Sequence, residues 1–281
     1  GQVSFELNEE SSKLTVKSSS GKYNLSTIPG SDFPDFDVIK SDTTHKITPN
    51  KLYELFLKTS FAMANQDWRH YLNGCLFEKT GSSINMVATD AHRLAIYKSN
   101  LEGEGDFTGI VPRKTVIELM KILPKQEDEI EFYINSNNIV FMSKKFTFKS
   151  KLIDGNYPNY NQVVPQGEGS KITFNRKNML DSLSRVSVLT SEKFKGVKLK
   201  TESGVLDISA HNPDQESAEE KLDVTSAGNE FDIAFNVNYL KEVLGTIDED
   251  EISLISFGSD KSALVESVDS NQVLVLMPLL L

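Results

Sequence analysis

Four segments of the chain carry apolar residues at helical spacing. The first follows Thr48-Pro49 and contains Leu52, Leu55, Phe56 and Met63. The second follows Pro112 and places Val116, Leu119, Met120 and Leu123 at i, i+3, i+4 and i+7. The third follows Asn175 with Met179, Leu180, Leu183 and Val186. The fourth follows Asn236 with Leu240, Val243, Leu244 and Ile247, on the same spacing as the second and 124 residues after it. Such stripes predict amphipathic helices with one buried face, and Thr, Pro and Asn at the boundaries are residues that start helices. Between the helices, apolar and polar positions alternate with period two, which predicts strands that bury one face.

The pattern repeats. Leu72-Asn73-Gly74-Cys75-Leu76-Phe77-Glu78 lines up with Phe194-Lys195-Gly196-Val197-Lys198-Leu199-Lys200. At the same spacing of 122 residues, Met86-Val87-Ala88-Thr89-Asp90 meets Ile208-Ser209-Ala210-His211-Asn212. A third copy is present in part. Asp32-Phe33-Pro34-Asp35-Phe36 matches Asn156-Tyr157-Pro158-Asn159-Tyr160, and the alternating segments Lys13–Val16 and Tyr23–Thr27 match Asn138–Phe141 and Phe146–Lys149. A period of this length marks a repeated domain. The expected organisation is 1–41 as the end of one repeat, 42–169 as a whole repeat and 170–281 as another, with roughly 80 residues of the first copy expected to lie before Gly1. Two helices packed on one face of antiparallel sheets in each repeat is an α+β layer arrangement.

Charge adds a qualification. The formal net charge is −10, which taken alone argues against a nucleic-acid partner. Its distribution is uneven: residues 171–200 carry Lys171, Arg176, Lys177, Arg185, Lys193, Lys195, Lys198 and Lys200 against Asp181 and Glu192, while 201–281 is strongly acidic. One basic face on an acidic protein is therefore open, beside the plainer reading of a solvated helix face. No apolar run reaches the ~18 residues of a membrane span, and the start has the features of no signal peptide. The single cysteine, Cys75, cannot form an internal disulfide and fits a reducing cytoplasm. The four histidines, His45, His70, His92 and His211, are scattered, so no metal site and no cofactor is expected. Asp90, His92 and Arg93 leave an enzyme as the rival class, although no Ser or Cys nucleophile is signposted near them. The run Asp248-Glu249-Asp250-Glu251 lacks the spacing of a calcium loop and reads as a solvated turn.

Longer motifs then point to a family. Asn65-Gln66-Asp67-Trp68-Arg69-His70-Tyr71-Leu72-Asn73-Gly74 and Val87-Ala88-Thr89-Asp90-Ala91-His92-Arg93-Leu94-Ala95 resemble the second domain of the bacterial sliding clamps, the beta subunits of DNA polymerase III. Ile110–Lys114, Ser191–Val197, Phe235–Tyr239 and Met277-Pro278-Leu279 continue the resemblance in order along the chain. It implies the DNA-clamp fold and a cytoplasmic, non-catalytic processivity factor. It further implies a head-to-tail homodimeric ring around duplex DNA, to which polymerases, the clamp loader and repair proteins dock through short peptide motifs. With the first repeat incomplete, this chain is expected to be monomeric and unable to close a ring.

The resemblance also assigns residues. One part of the peptide pocket would be Leu72, Thr89, Ala91, His92, Arg93, Leu94, Pro158, Val163 and Val275. The other would be Asn236, Tyr239, Ser262, Met277, Pro278 and Leu279, with Arg69 at the rim. Apolar side chains and a flexible Met suit an adaptable cleft, although Met277 onward also reads as a last core strand and a tail. DNA contacts would come from Gln66, His70 and Tyr71 in one loop, from Arg113 and Lys114 at a helix start, where the dipole favours phosphate, and from Arg176, Lys177 and Arg185. Val188 and Leu189 would meet Tyr23 and Leu25, on an edge strand of a partner copy. Gln162, Leu280 and His70 stand where arginine, arginine and tyrosine are familiar in the family, so the rim charge and the DNA contact differ there from what the resemblance implies.

Overall fold

The computed structural model describes residues 1–33, 43–191, 195–202, 204–227, 232–269 and 271–279. Contacts divide the chain into two units, Gly1–Ile39 and Lys40–Leu281. The first unit is a three-stranded antiparallel sheet of β1 (Ser4–Asn8), β2 (Lys13–Lys17) and β3 (Lys22–Ser26). Its register pairs Phe5 with Val16 and Val16 with Tyr23, and Leu7 with Leu14 and Leu14 with Leu25. Directly opposed residues share a face, so these six form one apolar face, and Lys13, Thr15, Lys17 and their partners form a polar one. The remainder of the expected Asp32–Phe36 motif, Pro34 onward, lies outside the described residues.

The second unit begins with β4 (His45–Ile47), α1 (Pro49–Leu57), β5 (Gly74–Thr80), β6 (Ser83–Thr89), β7 (Arg93–Asn100) and β8 (Phe107–Pro112). α2 (Arg113–Ile122), β9 (Ile130–Ile134), β10 (Asn138–Met142) and β11 (Thr147–Lys151) follow. The pattern returns with β12 (Ser170–Asn175), α3 (Arg176–Val186), β13 (Gly196–Glu202), β14 (Val205–His211), β15 (Ser217–Asp223) and β16 (Thr225–Ala227). It ends with β17 (Asp232–Asn236), α4 (Val237–Gly245), β18 (Glu251–Ser256), β19 (Ala263–Glu266) and β20 (Gln272–Leu276). β13 and β14 begin and end 122 residues after β5 and β6, which is the spacing of the sequence repeat.

The helices start where the sequence places them. Thr48 Oγ1 accepts the Lys51 amide with Pro49 in the first turn, Asn175 Oδ1 accepts the Asn178 amide, and Asn236 Oδ1 accepts those of Asn238 and Tyr239. Three stripes outrun their helices. α1 stops at Leu57, so Met63 is buried from the segment after it; Leu123 and Ile247 likewise lie just past α2 and α4 and are still buried. α1 packs on α2 and α3 on α4. Their buried stripes join the helix-facing positions of the strands, such as Cys75, Phe77, Met86, Leu199 and Ile208, in one core.

The two repeats share one sheet. β20 pairs antiparallel with β7, Leu276 opposite Arg93 and Gln272 opposite Tyr97. That pairing closes a nine-stranded sheet in the order β16-β12-β18-β19-β20-β7-β6-β5-β8. Flanking it are two four-stranded sheets, β11-β10-β9-β4 and β15-β14-β13-β17.

Candidate functional site

Strand side chains alternate between faces, and the nine-stranded sheet uses both. Opposite the helices, Leu76, Val87, Leu94, Ile96, Ile110 and Val275 form a second, smaller apolar cluster. The segment 152–164 lies across it. It is tied down by the Ile153 amide donating to the Ile110 carbonyl (2.9 Å), by the Tyr157 hydroxyl donating to the Val87 carbonyl (3.5 Å) and by the Tyr160 hydroxyl on the Glu78 carboxylate. Burial raises the pKa of both tyrosines, so each stays a neutral donor. The cover is incomplete where β7 meets β20, and a largely apolar cavity of about 310 Å³ remains.

That cavity gathers most of the first group assigned from the sequence: Leu72, Thr89, Ala91, Arg93, Leu94, Pro158, Val163 and Val275 line it, and Met277 joins them from the second group. His92 does not line it. Arg69, Tyr71, Asn159 and Tyr160 do. Tyr71, assigned from the sequence to the DNA loop, is thus a wall of the apolar cavity; only the covering segment shows this, since Tyr71 packs on the sheet cluster beside Tyr157 and Tyr160.

The turn between β6 and β7 shapes one wall. Thr89 Oγ1 donates to the Arg93 carbonyl (2.6 Å) and accepts the Ala91 amide (3.1 Å). Asp90 Oδ1 accepts the amides of His92 and Arg93 at 2.9 and 3.0 Å. Ala91 has φ 74°, a left-handed conformation that a small residue tolerates best. Arg93 then points into the protein, its guanidinium held by Asp90 Oδ2 (3.2 Å), the Glu242 carboxylate on α4 and the Phe61 carbonyl (2.7 Å). It lies 4.5 Å from the Tyr239 ring centroid and 5.2 Å from that of Phe61. One buried cation, charge-assisted and stacked on aromatic faces, therefore ties the two repeats together beside the cavity. Asp90 is committed to this network.

The second group is dispersed. Tyr239 stacks on His92 (5.8 Å between centroids), Asn236 caps α4, and Ser262 Oγ donates to the Val163 carbonyl (3.3 Å). The tail is strung between the repeats: the Met277 amide donates to the His92 carbonyl (2.8 Å) and the Leu279 amide to the Ala234 carbonyl (2.7 Å), with Pro278 half-buried between them. Leu280 and Leu281 lie outside the described residues, as do Glu192, Lys193 and Phe194 of the sequence motif.

A second cleft, of about 840 Å³, opens on the other side of Arg93. Phe61, Met63, Trp68, His92, Tyr239 and Arg113 are among its walls, together with Gln66. Its loop is braced from within. Asp67 Oδ1 accepts both the backbone amide and Nε of Arg69, Oδ2 accepts Nη2 (2.8 Å), and the Asn73 amide group bridges the Asp67 backbone. The hydrogen bonds from Arg69 hold the Asp67 carboxyl down at about 2.

The other basic candidates differ in what is left free. Lys114 and Lys177 are exposed. Arg176 donates Nε to the Glu249 carbonyl (2.9 Å), and Arg185 is paired with both carboxylate oxygens of Glu220, whose pKa it pulls down to about 2. Glu220, on β15, was not foreseen from the sequence because it is 35 residues away. The acidic run after α4 is more than a solvated turn: Asp248 pairs with the buried Lys58, and the Asp250 carbonyl accepts the Arg176 amide. Val188 is 77% exposed and Leu189 half-buried, while Tyr23 and Leu25 are exposed on the apolar face of β1–β3. Burial pushes the Cys75 thiol up to about 12, the state of an inert core residue. Among the described residues, no group of three His, Cys, Asp or Glu side chains is placed to hold a metal, and no helix is long and apolar enough to cross a membrane.

Comparison with known proteins matches this architecture. The family models for the central and C-terminal domains of the DNA polymerase III beta subunit match residues 46–159 and 161–279. The beta sliding clamp of Pseudomonas aeruginosa is 38% identical over 280 residues, covering 99% of this chain and 76% of the relative, and that of Vibrio cholerae is 39% identical over 274 residues, covering 96% and 74%. A crystal structure of the Pseudomonas aeruginosa DNA polymerase sliding clamp with ligand superposes with a TM-score of 0.91, again at 38% identity over 99% of this chain and 76% of that one. The two domain models in tandem, with identity sustained along the whole chain, establish that this chain belongs to the beta sliding clamp family, the beta subunits of DNA polymerase III.

Proposed function

We propose that this chain, a non-catalytic processivity factor of DNA polymerase by its family, recruits its protein partners through the apolar cavity beside the β7–β20 seam. The observation that carries the reading is the cavity itself: an apolar hollow of about 310 Å³ walled by both repeats, with few polar groups at its mouth. Clefts of this make-up suit a short extended peptide with one or two apolar anchors. Leu72, Leu94, Val163 and Val275 are the floor and sides for an anchor, and Met277 is the adaptable wall. His92, Tyr239, Asn236, Ser262, Pro278 and Leu279 extend the surface along the tail and set the direction in which the peptide leaves.

The DNA side of the reading rests on sequence-blind phosphate contact. Lys114 and Lys177 are exposed, and Arg113, Arg176, Gln66 and His70 stand with them as contacts; Arg185 contributes less, since Glu220 already neutralises it. A contact with another copy would use Val188 and Leu189 with Tyr23 and Leu25, apolar surface whose burial would be favourable.

Titration of a fluorescent clamp-binding pentapeptide tests the docking site. Wild type is expected to bind saturably. Met277→Ala is expected to weaken binding roughly tenfold, about 1.4 kcal/mol, and His92→Ala to weaken it less. A folded wild-type protein that binds no peptide, or a Met277→Ala variant that binds as wild type does, would refute this assignment.

A further inference from the structure

Trp68 is the only tryptophan of the chain, and it is 82% exposed. A side chain of that size normally hides, and nothing about its loop forces it out by disorder. The Asp67–Arg69–Asn73 hydrogen bonds fix the backbone on both sides of it, and the Arg69 guanidinium sits 5.7 Å from its ring centroid, leaving most of the indole in water. The loop therefore presents a rigid aromatic plane. That plane borders the 840 Å³ cleft, whose other walls include Gln66 and Arg113, two residues far apart in sequence that both belong to the DNA-contact group.

The charges of the cleft are sorted in a way that favours an anion. Asp67 is spent on Arg69, and Asp90 and Glu242 are both spent on Arg93. Arg113 has only the Met63 carbonyl (3.3 Å) as a side-chain partner and makes no ion pair among the described residues. A guanidinium with no ion-pair partner among the described residues and an exposed indole around one hollow are the two elements that hold an unpaired nucleotide: a cation for the phosphate and a π-face for the base. In the interior of a duplex both faces of each base are already stacked, so away from its ends duplex DNA offers this loop phosphates but no free face. We propose that the Trp68 cleft binds single-stranded nucleic acid, stacking an unpaired base on Trp68 with a neighbouring phosphate on Arg113. This rests on the DNA-contact reading of the same loop and goes beyond it in naming the strand state.

The lone tryptophan makes the test direct. A labelled twelve-residue oligo-dT and a duplex of the same length are titrated at low salt, read by anisotropy and by Trp68 emission. Saturable quenching by oligo-dT is expected. Trp68→Ala should weaken oligo-dT binding at least fivefold, Trp68→Phe should restore part of it, and neither should change duplex affinity more than twofold. Because the side chain is exposed, these variants leave the fold intact. If the duplex binds with the steep salt dependence of phosphate contacts while oligo-dT leaves emission unchanged, or Trp68→Ala binds oligo-dT as wild type does, the inference falls and the duplex reading stands. Failure of both nucleic acids to bind overturns both. A Trp68 response to the clamp-binding peptide but not to oligo-dT assigns the cleft to peptide and also overturns the proposal.

Discussion

His45 lies between the rings of Phe107 and Phe132, at centroid distances of 4.9 and 5.2 Å, and its Nδ1 has no hydrogen-bond partner. Burial disfavours the imidazolium and lowers its pKa; the nearby Lys79 ammonium, itself buried and bonded to the Gly103 and Gly105 carbonyls, lowers it further. A histidine whose folded pKa is depressed takes up its proton more readily unfolded. Its contribution to stability is therefore complete above the unfolded value of ~6.5 and is lost as pH falls below it. The urea midpoint should drop between pH 7.5 and 5.5 more in wild type than in His45→Phe, which keeps the aromatic packing without the titration. Equal drops in the two proteins would count against this account. From the sequence, His45 is only one of four scattered histidines. Its environment is made by strands β8 and β9, more than sixty residues on, and by Lys79. Arg93 and Arg185 teach the same lesson. Their motif neighbourhoods are readable, but Glu242 and Glu220, which decide whether each guanidinium is free, are far away in sequence.

At the scale of the element, starts were more legible than ends. Caps act within three residues, so Thr48, Asn175 and Asn236 could be read locally. Helix ends depend on what the next turn packs against, which is why Met63, Leu123 and Ile247 extend the apolar pattern beyond the helices themselves. The caps also separate structural from binding roles. Asn175→Ala removes the side-chain acceptor for the Asn178 amide and should cost about 1 kcal/mol in denaturant unfolding, with peptide affinity unchanged. A peptide affinity that fell with Asn175→Ala would mean that the two repeats transmit strain to the cavity. Strand pairs followed the same rule: β5–β6 and β13–β14 are hairpins closed by the turns at Gly81 and Gly204, both with positive φ, and local alternation was enough to find them.

At the scale of the whole molecule, the seam between β7 and β20 matters most. It makes one nine-stranded sheet from two repeats, and Arg93, the Lys58–Asp248 pair and the Gln272 side chain on the Lys58 carbonyl and Thr246 hydroxyl cross the same boundary. Repeats that share a sheet should not melt independently. Urea unfolding of the chain should give coincident midpoints by the reactivity of Cys75 toward a thiol reagent, a buried probe in the first full repeat, and by far-UV circular dichroism, a probe of both. A resolved early transition in one signal would show that the seam is weak. The cavity exists for the same reason: β20 brings Val275 beside Leu94, and segment 152–164 roofs the sheet only part of the way.

Composition, period and motif were sufficient for the α+β architecture, the helix starts and the family, because each depends on contacts within one hairpin or one helical turn, or on similarity read along the chain. The tertiary structure decided that the repeats fuse through β7 and β20, that Tyr71 faces the apolar cavity, that Arg185 pairs with Glu220, and that Trp68 stands exposed at a cleft that Arg113 also lines. Those outcomes turn on which side chains meet across more than thirty residues of chain, and no local pattern encodes the distance between them.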